Sequence, residues 1–249
     1  MSAAGEKSSV KIRTARSDGS SAFRRYRDLY YGDTGLGHVL HAELLVGVLG
    51  PLPGPAGLFL RGAFYPRLFG AAGRKLLIGR HVTFRHFRKI RFGDNVIVDD
   101  NAVIDAKGTS NAGIALGDNV FVGRNTIVYC KNGDIELGDG VSLSANCTVF
   151  SNNRLAIGAG TVVGAYSYLL SGGEYDMADA QTPFCEQDGM HSKGPLTIGR
   201  NCWLGARVTV LDAACIGEHC VIGAGAVVTR PVAANRVAVG VPARETRSL

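Results

Sequence analysis

The chain has 249 residues, 46% of them hydrophobic and 19% charged, a balance typical of soluble globular proteins rather than of fibrous or disordered ones. Its net charge of +6 favours a phosphate-bearing small molecule, a polyanion or an anionic surface as partner. Nucleic acid is set aside because zinc-finger spacing, a basic helix and an aromatic-rich binding signature are all missing.

The opening stretch MSAAGEKSSVKIRTARSDGSS is polar and lacks the apolar run of a secretory signal. Residues 1–20 are expected to be a disordered tail. Six cysteines, at 130, 147, 185, 202, 215 and 220, form no CxxC pair, which argues against a zinc ribbon or a thioredoxin-type site. Free, packed thiols in a reducing cytoplasm are the expectation.

Residues 21–75 form a distinct region. VLHAELLVGVLGPLPGPAGLFL (39–60) is the most apolar part of the chain, yet it holds His41, Glu43 and three prolines, which speaks against a membrane-spanning helix. Helical spacing would set Leu36, Leu40, Leu44 and Val48 on one face. A helical cap over the end of the following domain is one reading. A peripheral membrane contact helped by Arg61, Arg67, Arg74 and Lys75 is the other.

From Ile78 a six-residue period takes over. IGRNCW, LGARVT, VLDAAC, IGEHCV and IGAGAV begin at 198, 204, 210, 216 and 222. Each opens on an aliphatic residue and carries a small or β-branched one four positions later, as Cys202, Val208, Ala214, Cys220 and Ala226 do. This period fits neither a long helix nor an alternating strand, and repeats so short imply stacked coils. The tetrads IRFG, IALG, IELG, LAIG and LTIG begin at 90, 114, 135, 155 and 196, so successive coils are 24, 21, 20 and 41 residues long. Against three hexads per coil, the last interval contains a loop of about twenty residues, near 172–194. The expected layout is a solenoid over 76–241 interrupted by that loop, followed by a tail at 242–249.

These hexads resemble those of the hexapeptide-repeat acyltransferases, and the likeness is nearest to sugar and polysaccharide O-acetyltransferases of the galactoside and maltose type. The resemblance implies a mainly β fold, a left-handed parallel β-helix, which is an exception to right-handed crossovers. It also implies a homotrimer with acetyl-CoA, or another acyl-CoA, lying between neighbouring subunits as co-substrate, and no metal. The γ-class carbonic anhydrases share that fold with a three-His zinc site, but His81 and His86 in RHVTFRHFRKIRFG (80–93) lack a matching third ligand.

Three segments carry the donor-site resemblance. CWLGA (202–206) is similar to the family's CWIGA-type motif, so Trp203 would flank the acyl group and Ala206 would offer its N–H. IGAGAVVTR (222–230) assigns Ala224, Thr229 and Arg230 to the pantetheine arm. VAVGVPARETR (237–247) assigns Arg244 and Arg247 to the phosphates.

On the acceptor side, relatives read roughly GGxHD, with the His as base. This chain reads Gly172-Gly173-Glu174-Tyr175-Asp176 before Thr182-Pro183, so Tyr175 takes the His position. A tyrosine, with an ordinary pKa of about 10, is a poor base but can donate to an oxyanion. His191, Glu174 and Asp176 are the candidate bases, in that order. O-acylation of a sugar, glycan precursor or other small metabolite leads. N-acylation of an amine, which needs less help to attack, and a trimeric scaffold retaining a CoA groove are the alternatives. Cys147, Cys202 and Cys220 fall at inward small-residue positions, whereas Cys185 lies in the loop.

Overall fold

A computed structural model describes residues 21–249 except 174, 176, 177, 180, 185 and 188–190. The tail expected at 1–20 lies outside the described residues. Three helices open the described chain: α1 (Ala22–Tyr30), α2 (Leu36–Leu49) and α3 (Gly54–Phe64). The Ser21 side chain accepts from the Arg24 N–H at the start of α1, satisfying a donor that would otherwise lack a partner. No helix among the described residues is long and apolar enough to cross a membrane.

From Ala71 the chain winds into a parallel β-solenoid. Short strands join three sheets, each sheet taking every third strand, so each coil contributes one strand to each of three walls. The first wall contains Ile90–Phe92 and its parallel partners; the second contains Trp203–Leu204; the third contains Thr209–Val210. The ladder on the first wall pairs Ile90 with Ile114, Ile114 with Ile135, Ile135 with Leu155 and Leu155 with Leu196. The tetrad intervals of the sequence are therefore the coil lengths. Ile198 pairs with Ile216, a step of three hexads without excess.

The extra residues of the longer coils fall at one corner, between the third wall and the first. Segments 106–113 and 172–195 separate their flanking strands there. At the other corners, asparagine repeatedly takes the left-handed conformation, as at Asn95, Asn101, Asn119, Asn125, Asn146 and Asn201, a region asparagine enters more readily than other side-chain-bearing residues. Asn95 then donates to Asn119 one coil on, and Asn125 to Asn146. The interior is filled by inward residues repeated in every coil, such as Ile78, Val98, Val122, Leu143, Val163, Leu204 and Ile222 on the second wall. The final strand, Arg244–Ser248, turns back antiparallel onto Arg236–Val239.

The helices close the first-coil end of this core. Val39, Ala42, Leu49 and Tyr65 join one buried cluster with Leu76, Ile78, Val82 and Phe84. The spacing leaves open which face of α2 is buried, and the membrane-contact reading counts Arg61 among surface cations. The stripe Leu36, Leu40, Leu44 and Val48 faces outward, each residue more than half exposed, because Val39, Ala42 and Leu49 on the other side of α2 make the core contact. Arg61 is not at the surface. It is buried, and its guanidinium donates to the carbonyls of Ile78 (2.8 Å), Leu49 (2.9 Å) and Leu52 (2.8 Å), joining α2 and α3 to the first coil.

Candidate active site

The loop leaves the third wall after Ser171 and returns to the first wall at Leu196. Its two ends are held by one carboxylate. Asp212, 8% exposed, sits at the corresponding corner of the next coil. Its Oδ1 accepts from the Gly172 N–H at 2.5 Å, and its Oδ2 accepts from the Lys193 N–H at 2.5 Å. The Ser192 hydroxyl reaches Oδ1 at 3.1 Å and is itself met by the Asn153 amide at 3.0 Å. A buried carboxylate needs such donors to offset its desolvation. Gly172 has φ +96°, and a Cβ there would meet the Asn152 side chain at 1.7 Å, so only glycine fits at this exit.

Beyond the clamp, the Gly173 N–H donates to the His191 carbonyl at 3.1 Å, which narrows the loop mouth and fixes the backbone of His191. The His191 and Tyr175 side chains are both exposed. The Tyr175 ring packs on Phe184, centroids 5.6 Å apart. Asp179 accepts from the N–H groups of Gln181 (3.1 Å) and Thr182 (3.0 Å), and bonding by Thr182, from side chain and backbone, then by Gln181, holds its carboxyl below the usual range. Glu174, Asp176 and Cys185 lie outside the described residues.

The donor candidates occupy two corners and one wall. Trp203 projects from the second wall, 60% exposed, in a column with Val162, Val221, Val237 and Arg247. Three strand steps separate Trp203 from Arg247, about 14 Å at ~4.8 Å each. Arg244 lies on the same last strand, opposite Val239. Ala206 and Ala224 follow at the corner between the second and third walls, where the Gly225 N–H donates to the Ala206 carbonyl at 2.9 Å. Both alanines are exposed. Thr229 and Arg230, also exposed, lie past the third wall at the loop's own corner, one coil beyond Asp212. The chain thus brings Trp203, Ala206, Ala224 and Arg247 to one side of the third wall, and the loop ends, Thr229 and Arg230 to the other.

Cys147, Cys202 and Cys220 are buried, and burial pushes the Cys147 and Cys202 thiols up, as expected of packing residues. Sequence reasoning passed over Asp212. It stands in VLDAAC, where a hexad otherwise made of small and aliphatic residues carries a carboxylate, and that contrast was the available signal.

Two segments match models of known families: residues 195–230 match the bacterial transferase hexapeptide (six repeats), and residues 113–151 match the hexapeptide repeat of succinyl-transferase. A Staphylococcus aureus protein named for acetyltransferase activity is 32% identical over 116 residues, covering 47% of this chain and 56% of that protein. Galactoside O-acetyltransferase of Escherichia coli is 28% identical over 134 residues, covering 54% and 63%. The chain thus spans little more than half the length of these curated relatives. Among solved structures, a mutant of AntD, an N-acyltransferase from Bacillus cereus in complex with dTDP and coenzyme A, shares the fold with a TM-score of 0.53 at 18% identity, covering 80% of this chain and 91% of that one.

Proposed function

We propose that the chain, two segments of which match hexapeptide-repeat transferase models, is an acyl-CoA-dependent acyltransferase. It moves an acetyl group from acetyl-CoA to a hydroxyl of a sugar, glycan precursor or other small metabolite. The observation that carries this reading is the overlap of the matched segment 195–230 with the outward column and corner that present Trp203, Ala206 and Ala224. The thioester carbonyl would lie against Trp203, with the Ala206 or Ala224 N–H toward its oxygen. Arg244 and Arg247 would meet the phosphates, and Thr229 and Arg230 would border the pantetheine arm.

In this reading the acceptor hydroxyl attacks the thioester carbonyl and the C–S bond breaks. His191 takes the hydroxyl proton and returns it to the departing thiolate. Tyr175 donates to the acceptor or to the developing oxyanion, and Glu174, then Asp176, are the next candidates for the base. The loop ends and the Ala206–Ala224 corner are a full wall apart, which supports a homotrimer whose neighbouring copy supplies the loop. The outward column Leu77, Ile97, Phe121, Ser142, Val162 and Trp203, apolar except for Ser142, also suits self-association. The reading includes a cytoplasmic setting, with the outward face of α2 available to a membrane surface.

Tyr175 in place of a basic His favours N-acylation of an amino sugar as the second reading. Thiol release from acetyl-CoA, followed with hydroxyl and amino acceptors, decides between them. Trp203→Ala is expected to raise KM for acetyl-CoA about tenfold, and His191→Ala to lower kcat about a hundredfold. Tight CoA binding with no thiol release for any acceptor would instead indicate a scaffold.

A further inference from the structure

A concave site lies on the loop's corner of the solenoid, ending two coils before the loop and sharing no residue with the loop or the donor column. A cavity of about 930 Å³ opens between α1, the turn after it, and the corner segments of the first three coils. This is the size of a small-molecule site. Its walls carry Arg24 and Arg27 from α1, Arg88 and Lys89 from the first coil, Lys107 from the second and Lys131 from the third, against Asp28 and Asp33. Successive corners supply these cations at about one coil rise, ~4.8 Å, and Asn132, next to Lys131, bonds the Lys107 carbonyl at 3.0 Å.

The cations differ in what they already do. Arg27 is paired with Asp28 at 3.0 Å. Lys89 fastens the second corner, its ammonium donating to the Gly108 carbonyl at 2.7 Å and to Asn111 Oδ1 at 2.8 Å. Among the described residues, the side chains of Arg24, Arg88, Lys107 and Lys131 have neither an ion pair nor a hydrogen bond. Also on the wall, Thr34 has a buried hydroxyl with no partner among the described residues, a donor that a native structure seldom leaves unmet. His86 forms part of the floor, buried and held by Asp105 at 3.2 Å, while Asp105 also faces Arg85 at 3.6 Å. The one carboxylate behind the floor is thus engaged and does not neutralise the upper cations.

We propose that this cleft binds a small molecule through a diphosphate or other polyphosphate group. Four unpaired cations from α1 and three stacked corners outnumber the two wall carboxylates, Asp28 and Asp33, of which Asp28 already pairs with Arg27, and they match adjacent phosphoryl groups with several acceptor oxygens each. The group comes either from a soluble compound or from a lipid headgroup. The outward apolar stripe of α2 begins at Leu36, two residues past Thr34, so a headgroup in the cleft could be accompanied by acyl chains along α2.

The test is calorimetric titration of the full chain with inorganic pyrophosphate, and flotation with vesicles of phosphatidylcholine containing phosphatidic acid. Lys107→Gln with Lys131→Gln should weaken pyrophosphate binding about a hundredfold, tenfold per lost charge, with unchanged far-UV circular dichroism. Arg230→Ala with Arg247→Ala, both outside the cleft, should leave the affinity of the cleft unchanged. Pyrophosphate binding without flotation identifies a soluble ligand. Flotation that pyrophosphate displaces identifies a headgroup. Absence of pyrophosphate binding to the native chain overturns the proposal. So does undiminished binding by the double lysine variant, or loss only in the double arginine variant, which would locate the phosphate contact at the last coils.

Discussion

Removing the Asp212 carboxylate should open the loop without opening the solenoid. In Asp212→Ala the N–H groups of Gly172 and Lys193 and the hydroxyl of Ser192 lose their acceptor. A hydrogen bond to a charged group contributes about 1.5 to 3 kcal/mol, and an amide left unpaired in a buried place costs about 1 to 3 kcal/mol. Water can reach Lys193 more readily than Gly172, so the three bonds together amount to about 3 to 5 kcal/mol of local opening free energy. At 1.4 kcal/mol per tenfold, amide exchange at Gly172 and Lys193 should quicken by about two to three and a half decades. The ladder amides of Thr209 and Leu211, which bond the carbonyls of Ala226 and Val228, should keep their protection. Asp212→Asn, which retains one acceptor oxygen, should fall between the two. Site-resolved hydrogen exchange reads all of this directly. Unchanged exchange at Gly172 and Lys193 in Asp212→Ala would refute the clamp, and equal acceleration at Thr209 would mean that Asp212 holds the coil instead.

Arg61→Met should lower stability by about 3 to 5 kcal/mol, because three buried carbonyls lose a charged donor; chemical denaturation measures it, and a loss below about 1 kcal/mol would mean that water replaces the guanidinium. Gly172→Ala should disturb the loop exit as much as Asp212→Ala does, since its Cβ would meet Asn152, and the same exchange measurement checks it. At alkaline pH the junction of α1 with α2 should loosen. Burial, then the hydrogen bond to Glu43, pushes the Tyr26 phenol up to about 12. A folded-state pKa above the unfolded value of about 10 contributes stability that is present below pH ~10 and is lost as pH rises through ~12. Tyr26→Phe should flatten that pH dependence in tyrosine fluorescence, and an unaltered profile would remove Tyr26 from the cause.

The solenoid was legible because every hexad repeats the same inward demand. Leu143, Val163 and Leu204 stack in one buried column, so each coil restates the pattern and local noise averages out. The coil lengths were legible for the same reason, since IRFG, IALG and their successors mark one ladder position each. The orientation of α2 was not. LGHVLHAELLVGVL is apolar nearly all round, and a helix without a polar side leaves the choice of buried face to its neighbours. The Asp212 clamp was hidden differently: its two shortest partners are backbone amides, which leave no residue type to read, and Gly172 is forty residues away.

One constraint underlies both sites. A wall strand must present its N–H and C=O groups to the coils above and below, so added residues are tolerated only where the ladder is already interrupted. Here that place is a single corner. It carries the third-coil approach at 106–113, the 172–195 excursion, and the Lys107 and Lys131 segments of the basic cleft. The repeat supplies a rigid edge with fixed spacing, and the departures from the repeat supply the chemistry. Substitutions along the inward columns should therefore change stability and leave ligand affinity intact, whereas substitutions of His191, Lys107 or Lys131 at this corner should do the reverse.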